Sequence, residues 1–291
     1  MELWLVYATG AAVFAALTTI LAKIGVRDVD SHLATAIRTI VVLIFAWLMV
    51  FIVGSIDWDI SIKTWIFLLL SGLATGGSWL CYFRALKLGN VNKVVPIDKC
   101  STILTMILAF IFLAEPLGFV TGVGMLLMAV GTWLMLEIKK TAPEKSPGRW
   151  FEMGWLFYAV LAAIFASLVA IFGKIGIADM DPTLWTALRT IVVIPMSWLM
   201  VFTAGSQKTI KTIAPRSWVF LILSGVATGA SWLFFYHALR IGNASLVVPI
   251  DKLSILLVMG FAWLFLGERF TRRGVVGLGL LTLGTLLPVF V

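Results

Sequence analysis

Ser71-Gly-Leu-Ala-Thr-Gly-Gly-Ser-Trp79 returns 153 residues further on as Ser224-Gly-Val-Ala-Thr-Gly-Ala-Ser-Trp232. The agreement extends both ways along the chain. Upstream, Lys23-Ile-Gly returns as Lys174-Ile-Gly, and Arg38-Thr-Ile-Val-Val as Arg189-Thr-Ile-Val-Val, at an offset of 151. Downstream, Gly89-Asn90 returns as Gly242-Asn243, and Val95-Pro-Ile-Asp-Lys99 as Val248-Pro-Ile-Asp-Lys252, at 153. The slip of two falls between the second and third apolar runs of the copy, where a loop tolerates insertion. The chain is two copies of one unit.

What the unit is made of follows from composition. Of 291 residues, 61% are hydrophobic and only 12% charged, and the mean hydropathy is +1.07. A soluble globule of this size needs more polar surface, so the chain reads as a polytopic membrane protein. Apolar runs of spanning length fall at 3–23, 33–54, 64–87, 92–113 and 117–137, and again at 153–174, 183–204, 217–240, 245–266 and 271–290. Ten spans of about 20 residues use most of the chain and leave no room for a separate soluble domain. The polar interval between the sets holds two prolines and four basic residues. The predicted organisation is therefore a five-helix repeat over 1–137, a linker over 138–152 and a second repeat over 153–291. The start, Met1-Glu-Leu-Trp4, has no basic region or small-residue cleavage site, so the first run is expected to be a retained helix.

An odd number of spans per copy makes the two copies thread the membrane in opposite directions, the inverted-repeat plan. Loop charge tests this independently. Lys and Arg number fifteen in the odd-numbered loops, among them Lys23, Arg84, Lys139 and Arg272, against Lys63, Lys174 and Arg240 in the even-numbered ones. Basic loops stay cytoplasmic, which predicts an inner-membrane protein with both termini outside. Equivalent loops have also exchanged charge: Arg84 and Lys93 become His237 and Leu246, while Pro116-Leu117-Gly118-Phe119 becomes Arg269-Phe-Thr-Arg-Arg273. The net charge of +8 is thus topological and calls for no nucleic acid. Cys81 and Cys100 show no pairing pattern.

The five-span units end in Phe112-Leu-Ala-Glu-Pro116 and Phe265-Leu-Gly-Glu-Arg269, and their third spans run into Ala85-Leu-Lys-Leu-Gly89 and Ala238-Leu-Arg-Ile-Gly242. In this the chain resembles, over essentially its whole length, the EamA branch of the drug/metabolite transporter superfamily. The resemblance implies a ten-helix secondary transporter, usually an exporter of small metabolites. It also implies a central cavity between the halves, with spans 5 and 10 peripheral. Family members often carry an apolar segment where this sequence has Pro96-Ile-Asp-Lys99 and Pro249-Ile-Asp-Lys252.

Four basic residues, Arg38, Lys99, Arg189 and Lys252, lie inside predicted spans with Asp98 and Asp251. A charge in hydrocarbon costs about 2.5–3.5 kcal/mol even on the gentler insertion scales, so each needs a partner or a task. Arg38 and Asp98 share one depth and Arg189 and Asp251 another, which predicts two Arg, Asp, Lys clusters at opposite mouths of a central pathway. Three readings are open. The arginines and aspartates are struts with snorkelling lysines; Pro96 and Pro249 open their helices, making each Asp a first-turn carboxylate; or the clusters handle substrate. One Asp shields a Lys and a distant Arg poorly, so each cluster keeps about one positive charge, which suits an anionic or zwitterionic ligand.

Ser71, Thr75 and Trp79, and Ser224, Thr228 and Trp232, are spaced by four and share a helix face beside small-residue stripes, Gly72/Gly76 and Gly225/Gly229. The glycines read as close helix packing. Trp79, Trp232, Tyr82 and Tyr236 line the cavity or form an interfacial belt. Glu115 and Glu268, at span ends, read as solvated loop residues or caps. There is no phosphate-cradling loop, metal-ligand cluster or nucleophile elbow. No enzyme, cofactor or metal site is expected. The expectation is a carrier of a small polar metabolite, monomeric or homodimeric in lipid. The alternatives are a proton-coupled exporter of organic cations, with Asp98 and Asp251 exchanging protons, and a flippase or assembly partner for a lipid-linked carrier.

Overall fold

The computed structural model describes residues 2–25, 29–88, 94, 97–135, 149–266 and 271–290. They are α-helical throughout apart from short connections and one 3-10 turn. The first half runs α1 (Leu3–Gly25), α2 (Ser31–Val53), α3 (Ile62–Leu88), α4 (Ser101–Leu113) and α5 (Phe119–Met135). The second runs α6 (Arg149–Gly176), α7 (Pro182–Ala204), the 3-10 turn Ser206–Thr212, α8 (Pro215–Ile241), α9 (Ala244–Lys252), α10 (Ser254–Leu266) and α11 (Arg272–Phe290). Eight described segments are long and apolar enough to cross a membrane, with α9 and the start of α10 forming one of them. The fourth and fifth spans are shorter in the described residues: α4 has 13 residues and α5 has 17. Most of the expected linker lies outside the described residues, as do Glu268, Gly89, Asn90 and Pro96. α6 begins at Arg149, within the interval assigned to the linker.

Local chemistry repeats with the sequence. Asp30 and Asp181 cap α2 and α7, their carboxylates accepting from the N–H groups two and three residues on at 2.8–3.3 Å. At the far ends of these helices Gly54 and Gly205 take φ of +71° and +73°, a left-handed turn that only glycine adopts without strain. In the second half Pro249 lies within α9, not at its first residue. A proline there removes a backbone donor and crowds the preceding turn, and the helix stops at Lys252 and restarts at Ser254. Asp251 is consequently at the end of a helix, which corrects the first-turn reading.

The most extensive packing joins one half to the other: α1 lies on α8, α3 on α6, α5 on α11 and α2 on α7, while α4 packs on α6 and α9. Hydroxyl-to-carbonyl bonds across the first two pairs match in both copies. Ser71 and Ser78 donate to the carbonyls of Val169 and Ala162, and Ser224 and Ser231 to those of Thr18 and Ala11, all at 3.0–3.2 Å. Glycine lets the next layer close. A Cβ on Gly72 would stand 2.6 Å from Val192, and one on Gly225 would stand 2.6 Å from Val41, its counterpart at offset 151. The glycine stripes are thus packing surfaces, as lipid-embedded helices without a hydrophobic drive between them require.

Candidate functional site

Eight residues into α7, Arg189 is only 2% exposed and is held from two sides. Its Nε donates to Ser71 Oγ at 3.0 Å and one terminal nitrogen donates to Thr75 Oγ1. Both hydroxyls are oriented to accept, because the Ser71 proton goes to Val169 O and the Thr75 proton to Ser71 O. On the other side the guanidinium lies over the rings of Trp232 and Tyr236, 5.1 and 5.3 Å from their centroids, within range for cation–π attraction. Arg189 therefore does not pair with Asp251, contrary to the matched-depth expectation. Depth along a span leaves the helix rotation open, and rotation turns Arg189 toward α3 and α8.

Arg38, its counterpart in α2, is also unpaired with its expected partner Asp98 among the described residues. Its Nε is buried without a hydrogen-bond partner. The matching hydroxyls, Ser224 and Thr228, are oriented as acceptors in the same way, donating to Thr18 O and Ser224 O. Thr228 Oγ1, however, meets Thr18 Oγ1 at 3.2 Å. The residue matching Thr18 in the second copy is Val169, and the residue matching Tyr236 in the first is Phe83.

Two cavities adjoin this region. One, of about 340 Å³, is lined by Arg189, Thr75, Trp79, Trp232, Tyr236, Asp251 and Lys252 among others. The second, of about 420 Å³, is lined by Lys99, Thr102, Thr132, Asp251, Lys252 and Thr285 among others. Asp251 and Lys252 border both, and Lys252 Nζ stands 3.8 Å from the Asp251 carboxylate. Lys99 from one half thus shares a cavity with Asp251 and Lys252 from the other, rather than marking an opposite mouth. Lys99 lies just before the start of α4 and Lys252 at the break between α9 and α10, and α4 packs on α9, so these two interruptions border the same cavity.

Spans 5 and 10 also depart from expectation. Met128 and Thr132 of α5 and Leu281 and Thr285 of α11 help wall the larger cavity, so these helices are not wholly peripheral. Their backbones meet at glycines, Gly131 and Gly277 among them, and the close crossing brings the threonine-bearing faces inward. Thr285 is 2% exposed and its hydroxyl has no partner. Of the aromatic candidates, Trp79, Trp232 and Tyr236 line a cavity. Tyr82 instead packs beside Ala85, Val94 and Ala159.

Glu115 and Lys174, read from sequence as a loop or cap residue and a loop charge, are both engaged in the fold. Glu115 is 7% exposed and accepts from the N–H groups of Ala244 and Ser245 at 2.7 and 2.8 Å. Lys174 Nζ donates to the carbonyls of Leu239 and Gly242, both at 2.7 Å. Their duplication, as Glu268 and Lys23, was the available signal. No group of His, Cys, Asp and Glu among the described residues is placed to hold a metal.

A bundle of membrane-length helices with charged cavities where two repeats interleave is the build of a polytopic membrane carrier. Residues 2–137 and 153–290 each match the EamA-like transporter family, and the chain belongs to it. It is 42% identical over 136 residues to an uncharacterized transporter from the cobO 3' region of a Sinorhizobium species, a match covering 47% of this chain and 96% of that protein. Over 132 residues it is 26% identical to an uncharacterized protein of Methanocaldococcus jannaschii, covering 45% of this chain and 93% of that one. Both relatives are about half as long as this chain. A solved crystal structure shares the fold, with a TM-score of 0.80 at 15% identity over 98% of each chain.

Proposed function

We propose that the protein is a secondary transporter, an exporter, that moves a small anionic or zwitterionic metabolite across the inner membrane by alternating access. The observation that carries this reading is charge. The two adjoining cavities are bordered by three cations, Arg189, Lys99 and Lys252, and one carboxylate, Asp251. Arg189 is held only by hydroxyls and rings, so its charge is not cancelled by a protein anion. The field of this region attracts an anion, or the carboxylate end of a zwitterion, and repels a cation. The same reading takes the chain as ten spans in two inverted five-helix repeats, supported by the duplicated sequence, the odd span count and the half-length relatives.

The ends of the bundle differ in a way that alternating access requires. Residues 182–190, at the start of α7, are all buried, whereas among their counterparts at the start of α2 Ser31 is exposed and His32, Thr35 and Arg38 are only partly covered. With both termini outside, the covered end is the outer one and the structure is closed outward. The driving force is an ion gradient or the substrate's own.

Thermal-shift screening of the purified protein against metabolite classes identifies the ligand, because a ligand that binds only the folded state raises its apparent stability. Stabilisation by organic cations in place of anions and zwitterions overturns the charge argument in favour of cation export. In proteoliposomes, Lys99→Ala and Lys252→Ala are expected to abolish transport with nearly unchanged melting in detergent. Full transport by both variants removes these lysines from the site. An impermeant thiol reagent reaching Ser146→Cys from outside intact cells overturns the orientation.

A further inference from the structure

The joint between α8 and α9, Gly242-Asn243, is gripped by two charges that belong to neither helix, a buried Glu115 and a partly buried Lys174. Three carbonyls at the end of α8, those of Leu239, Arg240 and Gly242, accept from Lys174 Nζ at 2.7–3.3 Å. Asn243, in the capping position of α9, makes no side-chain cap. The first two N–H groups of α9 go to the two Glu115 oxygens instead. Each charge matches the helix end it meets, a cation at a C-terminus and an anion at an N-terminus. Glu115 also follows Ala114, whose φ of +53° makes it the one non-glycine residue at positive φ among those described. An alanine persists in that region only where the surroundings hold it.

The grip crosses the halves, since Glu115 comes from the first repeat and the joint from the second. α9 has nine residues, a rod roughly 13 Å long, and its other end carries Asp251 and Lys252 into both cavities. We propose that Glu115 and Lys174 are positioning residues that latch the α8–α9 joint, holding the covered end of the pathway shut and setting α9 so that Asp251 and Lys252 stand in the cavities. The proposal rests on the alternating-access reading above. Release of the joint lets α9 swing, which opens that end and moves the charged pair together. The sequence repeats the whole set, with Lys23, Glu268 and Gly89-Asn90 in the corresponding places.

Thiol accessibility tests the latch without knowledge of the substrate. The reporter is Val169→Cys, on the wall of the Arg189 cavity, in full-length protein with Cys81 and Cys100 replaced. It is reconstituted and treated with an impermeant maleimide from each face of the bilayer. The parent is expected to label from one face only. Glu115→Ala and Lys174→Met should each raise labelling from the closed face at least tenfold, with Glu115→Gln, which keeps an acceptor, in between. Size-exclusion profile and melting in detergent show that each variant is folded; if Glu115→Ala is not, Lys174→Met and Glu115→Gln decide. Labelling of the parent equally from both faces overturns alternating access itself. One-sided labelling that stays one-sided in the folded latch variants overturns the latch alone.

Discussion

Arg189 and Arg38 occupy the same place in two copies of one sequence, yet the first donates to two hydroxyls, its Nε included, and the second is left with a buried, unpartnered Nε. The scaffolds around them agree closely. The serine bonds to the facing helix, the glycine approaches and the aspartate and glycine caps all recur. The difference is confined to what surrounds the guanidinium. At the Arg189 niche an apolar Val169 leaves Thr75 free to accept, and Trp232 and Tyr236 cover the cation. At the Arg38 niche Thr18 occupies the free side of Thr228, and Phe83 stands where Tyr236 does. A duplicated frame therefore supports unequal contents, and the niche at the covered end is the closed one.

The largest effect that separates the niches is truncation of the arginines. Arg189→Ala removes two charge-assisted hydrogen bonds and two ring contacts and should cost about 2–4 kcal/mol, read as a large drop in melting temperature in detergent. Arg38→Ala loses little that the structure shows, and is expected to stay within about 1 kcal/mol. Arg189→Lys should recover only part of the loss, since an ammonium cannot reach both hydroxyls with a planar fork. Equal losses for the two alanine variants would break the comparison. The frame itself should respond symmetrically: Gly72→Ala and Gly225→Ala meet Val192 and Val41 at the same 2.6 Å and should each cost about 1–3 kcal/mol by overpacking. A marked inequality here would place the asymmetry in the helix packing and not in the niches.

These contrasts also show what the sequence made legible. Repeat, helices and glycine stripes were readable, because periodicity and burial cost act on one chain segment at a time. Pairing was not. Matched depth put Arg189 with Asp251, but which way a side chain points depends on helix rotation, and Arg189 turns to Ser71 and Thr75 instead. Of the readings open for Asp251, the first-turn one fails because Pro249 interrupts its helix from within rather than starting it. A cap was one of the two readings of Glu115, but the helix it caps was not legible because its two donors lie 129 and 130 residues away, beyond the reach of any local pattern. The wall formed by α5 and α11 depends on how closely their glycines let them cross, which composition does not give.

Thr18 offers a finer test of the niches, because it is the polar residue standing where the second copy has Val169. Thr18→Val removes its contact with Thr228 and its own bond to Phe14 O, and should change stability by no more than about 1 kcal/mol. Its value lies in the coupling. With Thr228 freed to accept, Arg38 gains a partner, so Arg38→Ala should cost more in the Thr18→Val background than alone, by about 0.5 kcal/mol or more in a double-mutant cycle. No coupling would mean that the Arg38 niche is empty for a reason other than Thr18.

The smallest expected effect is at the α2 cap, part of the shared frame. Burial pushes the Asp30 carboxyl up, but hydrogen bonds with Ser206 and with the N–H groups of Leu33 and His32 outweigh it and hold the group below its ordinary range. A carboxyl lowered on folding contributes stability that is fully present above its unfolded value and is lost as pH falls through the folded one. The α2 cap should therefore hold through neutral and mildly acidic conditions and weaken below about pH 4. Asparagine caps nearly as well as aspartate, so Asp30→Asn should cost only a few tenths of a kcal/mol at pH 7. It should also flatten part of the acid-induced fall in melting temperature measured between about pH 5 and pH 3. An unchanged acid profile in Asp30→Asn would show that the α2 cap carries no pH-dependent stability.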